Sequence, residues 1–134
     1  MSAQPIEHPP AARPPLPVRP VSLPELYRAA ARLLTQVGHF RGDFFDGAGY
    51  GDQYAAGAPV CAVGALRLVA GGDPQTPSLL SEEGIAFLSA RVESSVVEDD
   101  PLERVADWND SYDRSYRDVI AELYAAADAS EVAA

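Results

Sequence analysis

Three side chains have the chemistry to attack or to move a proton: the sole cysteine, Cys61; one of two histidines, His39; and the aspartate that closes a Trp-Asn-Asp triplet, Asp110. Cys61 falls in the first turn of a predicted helix, where unpaired amides and the helix dipole favour a thiolate and lower its pKa. In that setting Cys61 is the candidate nucleophile, His39 its base if the intervening loop folds back, and Asp110 or Asp46 the carboxylate that orients or deprotonates a substrate. Cys61 also fits a plainer role as a small buried hydrophobe, since free cysteine is among the most buried residue types. Spacing in the chain leaves both roles open.

The remaining polar clusters point away from metals and cofactors. Asp43, Asp46 and Asp52 share a glycine-rich loop, but their spacing is not that of an EF-hand and no glutamate closes the set. His8 and His39 form no ligand pair, and one cysteine builds neither a disulfide nor a cysteine zinc site. No metal and no cofactor is expected. Trp108, Asn109 and Asp110 sit between two predicted helices, where Asn and Asp have local capping roles; the functional alternative has Trp108 walling a pocket whose polar end is Asp110. The acidic run 98–100 reads as a solvated helix start that would also attract a basic peptide.

Residues 39–58 hold five aromatics, Phe40, Phe44, Phe45, Tyr50 and Tyr54, among five glycines and three aspartates. They have no helical period and form a predicted loop, with 46–49 the one place for a short hairpin. Phe44, Phe45, Asp46, Tyr50 and Tyr54, with Trp108 and Asn109, are the candidate binding residues. Exposed aromatic side chains are typical interface anchors.

The elements that must position these residues are helical. Residues 22–37 open with Ser22 and Glu25 in capping-box spacing, and apolar residues then recur at three and four from Leu23 to Val37. Residues 59–70 carry a single charge, Arg67, and read as a central helix apolar on every side, with Pro59 in its first turn and Gly64 leaving room for a neighbouring backbone. Ser81 is placed as the cap of a third helix that turns Ile85, Leu88, Val92 and Val96 inward. Its end near 93–97 is open between helix and a brief extended piece. Pro101 starts a fourth helix, and Ser115 with Asp118 caps a fifth whose inward face is Tyr116, Val119, Ile120, Leu123 and Ala127, fraying after Asp128. The predicted fold is all-α: a four- or five-helix bundle around 59–70. It occupies one domain, 21–128, behind a proline-rich tail, 1–20, and before a frayed C-terminus, 129–134.

With 134 residues, a net charge of −10 and a pI near 4.4, the surface repels phosphate backbones and anionic membranes, so nucleic acid and membrane are not expected partners. All ten basic residues are arginine, so no lysine is available for a Schiff base. The first twenty residues lack the apolar run of a signal peptide, and no stretch approaches the roughly 20 apolar residues that span a bilayer. A cytoplasmic location is expected.

The order of these features, a helix like LYRAAARLL, a glycine- and aromatic-rich loop, CAVGAL, then WND followed by an arginine and a helix like DVIAELYAAA, resembles DUF6197. That family comprises short actinobacterial and phage proteins of unknown function. The resemblance covers about residues 26–127 and points to Cys61, Gly64, Ala65, Trp108, Asn109 and Asp110. It implies no activity. This chain carries Gly38, His39 and Phe40 where the family is expected to carry a Gly-Trp pair.

Two functions follow. The favoured one is a small acidic binding or accessory protein that recognises a protein or cationic peptide through its aromatic loop and acidic surface, with a homodimer open to it. The alternative is a cofactor-free bacterial biosynthetic enzyme acting on a peptide or small metabolite by acid-base or thiol chemistry through Cys61, His39 and Asp110.

Overall fold

The computed structural model describes residues 18–48 and 53–133. Most of the proline-rich tail, with His8, and residues 49–52, with Tyr50, Asp52 and the end of the expected hairpin, lie outside the described residues. Within them the fold is all-α, five helices packed together with no strand among the described residues.

α1 (Leu23–Val37) starts where the local chemistry says it should: Ser22 Oγ accepts the Glu25 N–H at 3.4 Å, and the Glu25 carboxylate accepts the Val21 N–H at 2.9 Å. It buries Leu26, Tyr27, Ala30, Ala31 and Leu34 and stops at Gly38, whose φ of +98° suits glycine. The Tyr27 hydroxyl donates to the Gly84 carbonyl of the third helix, and burial pushes the phenol pKa well above its ordinary value.

α2 (Ala62–Gly71) is shorter than the predicted 59–70 helix at its start. Pro59, Val60 and Cys61 lie outside it because their backbone groups pair with the loop instead: Val60 N–H with Gly38 O at 3.2 Å and Cys61 N–H with Phe44 O at 3.1 Å. Cys61 is therefore the cap, its sulfur accepting the Gly64 N–H at 3.2 Å. The helix is buried from Ala62 through Arg67. Arg67 tolerates burial because Glu82 takes it through two hydrogen bonds, 3.1 and 2.9 Å, and the Phe44 ring lies 5.5 Å beneath it.

α3 (Leu79–Ser89) begins three residues earlier than predicted. Ser78 is the cap, and Ser81 is its reciprocal partner: Ser78 Oγ accepts the Ser81 N–H and Ser81 Oγ accepts the Ser78 N–H. After Ser89 the chain is neither helix nor strand through Val97. There Asp107 accepts the Ser94 hydroxyl at 3.0 Å and the Ser95 amide at 2.9 Å, which holds its carboxyl below the usual range.

α4 (Pro101–Asp110) starts at the Asp100 cap with proline in its first turn. α5 (Tyr116–Ala133) starts at the expected Ser115–Asp118 pair, 2.9 and 3.2 Å, and runs past Asp128 to Ala133. Its inner face is Val119, Leu123, Ala126, Ala127 and Ser130. Tyr116, expected on that face, is about half exposed. α1 packs against α5, α2 and α3, and α2 packs also against α3 and α4, so α1 and α2 share the centre. No helix among the described residues is long and apolar enough to cross a membrane.

Candidate functional site

The loop that leaves α1 folds back across the N-terminal end of α2. Phe40 N–H donates to Val60 O and Asp46 N–H to Pro59 O, each at 2.9 Å, so Val60 forms a parallel bridge with His39 and an antiparallel one with Phe45. In the described part of the expected hairpin, Asp46 and Gly47 form a turn with Ala48 N–H on Phe45 O. Gly64 makes the crossing possible, since a Cβ there would collide with the Phe44 carbonyl oxygen.

Asn109 fastens the crossing. Its Oδ1 accepts the Ala62 N–H, the first amide of α2, at 2.9 Å and the His39 Nε2–H at 2.7 Å. Its Nδ2 donates to Phe40 O at 3.0 Å and to Asp110 Oδ1 at 2.9 Å, and that same carboxylate oxygen accepts the Gly42 N–H at 3.0 Å. Asn109 is fully buried with all four partners satisfied, so the amide is a structural node. The role is tertiary, where the sequence suggested a local cap.

The predicted nucleophile is differently placed. Cys61 is 5% exposed, and burial pushes its thiol up to about 11, opposite to the expected lowering; the backbone amides of Gly64 and Val63 offset only part of the desolvation. His39 directs its Nε2 at Asn109, and no hydrogen bond joins it to Cys61 among the described residues. Burial lowers the His39 pKa below the usual imidazole value against the pull of the Asn109 bond, which leaves the ring neutral at pH 7. Cys61 and Asp110 do border one cavity of about 170 Å³, with Phe44 and Glu103, whereas His39 borders a separate cavity.

Most candidate binding residues face inward. Phe45 is 1% and Trp108 3% exposed, so neither offers a side chain to a partner. Tyr54 stands edge-on to Phe45 at 5.5 Å and donates its hydroxyl to Ala58 O at 2.9 Å. Phe44 is half-buried under Arg67, and Asp46 is exposed.

The sequence missed two arginines around the Trp-Asn-Asp turn. Arg114 lies over the Trp108 ring at 5.2 Å and donates Nε–H to Trp108 O at 3.1 Å; Arg41 lies over the Tyr112 ring at 5.6 Å and donates to Arg114 O. Their only sequence signal is their position beside the aromatic loop and after WND. Between this turn and 93–95 runs an open groove of about 660 Å³, lined by Glu93, Ser94, Ser95, Asp107, Trp108, Asp110, Ser111, Asp113 and Arg114. No cluster of His, Cys, Asp and Glu suited to a metal occurs among the described residues.

Residues 18–129 match the model of DUF6197, a family of unknown function. The chain belongs to that family. The match takes in the Cys61–Gly64 cap and the Asn109 node together, the two motifs that carry the resemblance. No curated protein and no solved structure matches the chain.

Proposed function

We propose that this DUF6197 member is a cytoplasmic binding module that engages a cationic protein or peptide through the groove beside its Trp-Asn-Asp turn. The observation that carries the reading is the groove itself: Glu93, Asp107, Asp110 and Asp113 converge on it in a chain of net charge −10. Asp107 and Asp110 are fixed by internal hydrogen bonds, which leaves Glu93 and Asp113 as the exposed carboxylates for an incoming arginine or lysine. Tyr112, 92% exposed, adds the aromatic surface that the buried loop aromatics do not, and Arg41 already lies over its ring as a guanidinium packs on an aromatic face. Thiol chemistry at Cys61 is not proposed, because burial keeps the sulfur protonated at neutral pH.

Occupancy by an oligo-arginine peptide is read by calorimetric titration, since Trp108, the only tryptophan, is buried under Arg114 and does not meet the ligand. Binding should weaken as salt rises, and the double variant Glu93→Gln, Asp113→Asn should lower affinity about two- to thirtyfold, as rim charges contribute roughly 0.2–1 kcal/mol each. No association at low ionic strength, or association indifferent to both salt and the double variant, would overturn the reading.

A further inference from the structure

Arg41 is half-buried, and among the described residues no carboxylate forms an ion pair with it. The ion pairs among the described residues involve Arg28, Arg67 and Arg91. Arg41 instead uses one of its nitrogens, Nη2, on the Arg114 carbonyl and rests on the Tyr112 ring. Its Nε is the one buried side-chain nitrogen or oxygen without a hydrogen-bond partner among the described residues. A guanidinium left this incomplete away from full solvent is costly unless something else satisfies it.

Arg41 borders a cavity of about 400 Å³ with Leu34, Thr35, Gly38, His39, Ser115 and Tyr116. Two of those residues are the cap and the first residue of α5, an 18-residue helix whose positive end therefore meets the cavity. The Asp118 and Val119 amides bond back to Ser115, so those of Tyr116 and Arg117 remain without a helical partner. Arg117 lies over the Tyr116 ring at 5.6 Å. The negative groups nearby are already engaged: Asp118 takes the Ser115 N–H, and Asp110 takes Gly42 and Asn109.

We infer that this cavity is a binding site for a small oxyanion, a carboxylate or phosphate group, held between the Arg41 guanidinium and the N-terminal turn of α5. Nη1, which has no partner among the described residues, is the first contact. Nε is closed to solvent and joins only if the side chain turns on Tyr112 to present a two-pronged edge. The hydroxyl of Ser115 and the free first-turn amides supply the opposite side. The site does not rest on the groove reading above.

The test uses the full chain, with inorganic phosphate and acetate titrated separately at constant ionic strength against sodium chloride. Saturable amide shifts confined to Ser115, Tyr116, Arg117 and the Arg41 Nε–H are expected, and which anion saturates first identifies the group. Arg41→Gln should weaken binding about tenfold or more, the size of a lost charge-assisted hydrogen bond. Should that variant fold poorly, Thr35→Glu places a carboxylate in the same cavity from an exposed position and should abolish the phosphate and acetate shifts. Shifts that are diffuse and unsaturated, or binding unchanged in both variants, overturn the inference and leave the cavity to water.

Discussion

Gly64→Ala should destabilise the protein although it replaces a glycine inside a helix, where the exchange ordinarily gains up to about 1 kcal/mol. The added Cβ collides with Phe44 O and would sit 3.2 Å from the Phe44 carbonyl carbon and 3.4 Å from Pro74 Cβ. Backbone, not a flexible side chain, has to move. Moving Phe44 breaks the 3.1 Å bond from Cys61 N–H, leaving a buried donor unpaired at a cost of about 1–3 kcal/mol, and overpacking adds a similar 1–3 kcal/mol. After the helix gain is subtracted, the net loss is roughly 1–5 kcal/mol. Gly71→Ala is the internal control. It lies in the same helix with nothing within 4 Å of its added Cβ, so it should be neutral or stabilising by up to about 1 kcal/mol. Urea unfolding followed by helical circular dichroism and Trp108 fluorescence gives both midpoints. A Gly64→Ala midpoint equal to or above that of Gly71→Ala would refute the argument that the loop is seated directly on α2.

Asn109→Ala strands the Ala62 amide and the Phe40 carbonyl together and should cost about 3–5 kcal/mol in urea unfolding; a loss below about 1 kcal/mol would remove the node. Cys61 in the folded protein should resist iodoacetamide and react at the rate of the unfolded chain only in denaturant, as read by intact mass; equal rates in both states would contradict its burial. The same thiol has a folded value of about 11 against an ordinary 9.0, so the unfolded chain loses its proton first and stability falls as pH rises from 9 to 11, by about 3 kcal/mol. Tyr27 acts in the same direction above pH 10, and Cys61→Ala separates the two. On the acid side His39 has a lowered folded pKa, so the unfolded imidazole takes its proton first and stability declines as pH falls below about 6.5; His39→Gln should remove that slope in midpoint-against-pH measurements.

What the sequence made legible was local. Ser22 with Glu25, Asp100 with Pro101 and Ser115 with Asp118 are start signals a few residues long, and α1, α4 and α5 begin where those signals lie. α3 starts three residues before the expected position because two serines three apart cap each other, and Ser81, directly before the acidic pair Glu82–Glu83, looks like the cap while Ser78 is the one that serves. α2 starts later than its apolar run for a tertiary reason: the amides of Val60 and Cys61 are taken by Gly38 O and Phe44 O, which no local period encodes. The same pairing takes Phe45 into the core. Asn109 was legible as a residue to test but not in its role. Its partners Ala62, Phe40 and His39 lie 47, 69 and 70 residues away, and a cap reading considers only the nearest turn.

The proposed groove and the proposed anion cavity hang on one piece of chain. Trp108 to Arg114 lines the groove, Arg41 reaches that piece through the Arg114 carbonyl, and Asn109 holds Phe40, next to Arg41, while Asp110 holds Gly42 on its other side. Loosening Asn109 should therefore impair both sites at once, through position rather than through charge. Glu93 touches only the groove and Thr35 only the cavity. A Glu93→Gln variant that weakens oligo-arginine binding yet keeps the phosphate shifts, set beside a Thr35→Glu variant that abolishes the phosphate shifts and keeps oligo-arginine, separates two recognition surfaces from one loop that merely stiffens. If each variant instead weakened both ligands equally, the effect would be traced to the shared 108–114 turn, and neither surface would be an independent site.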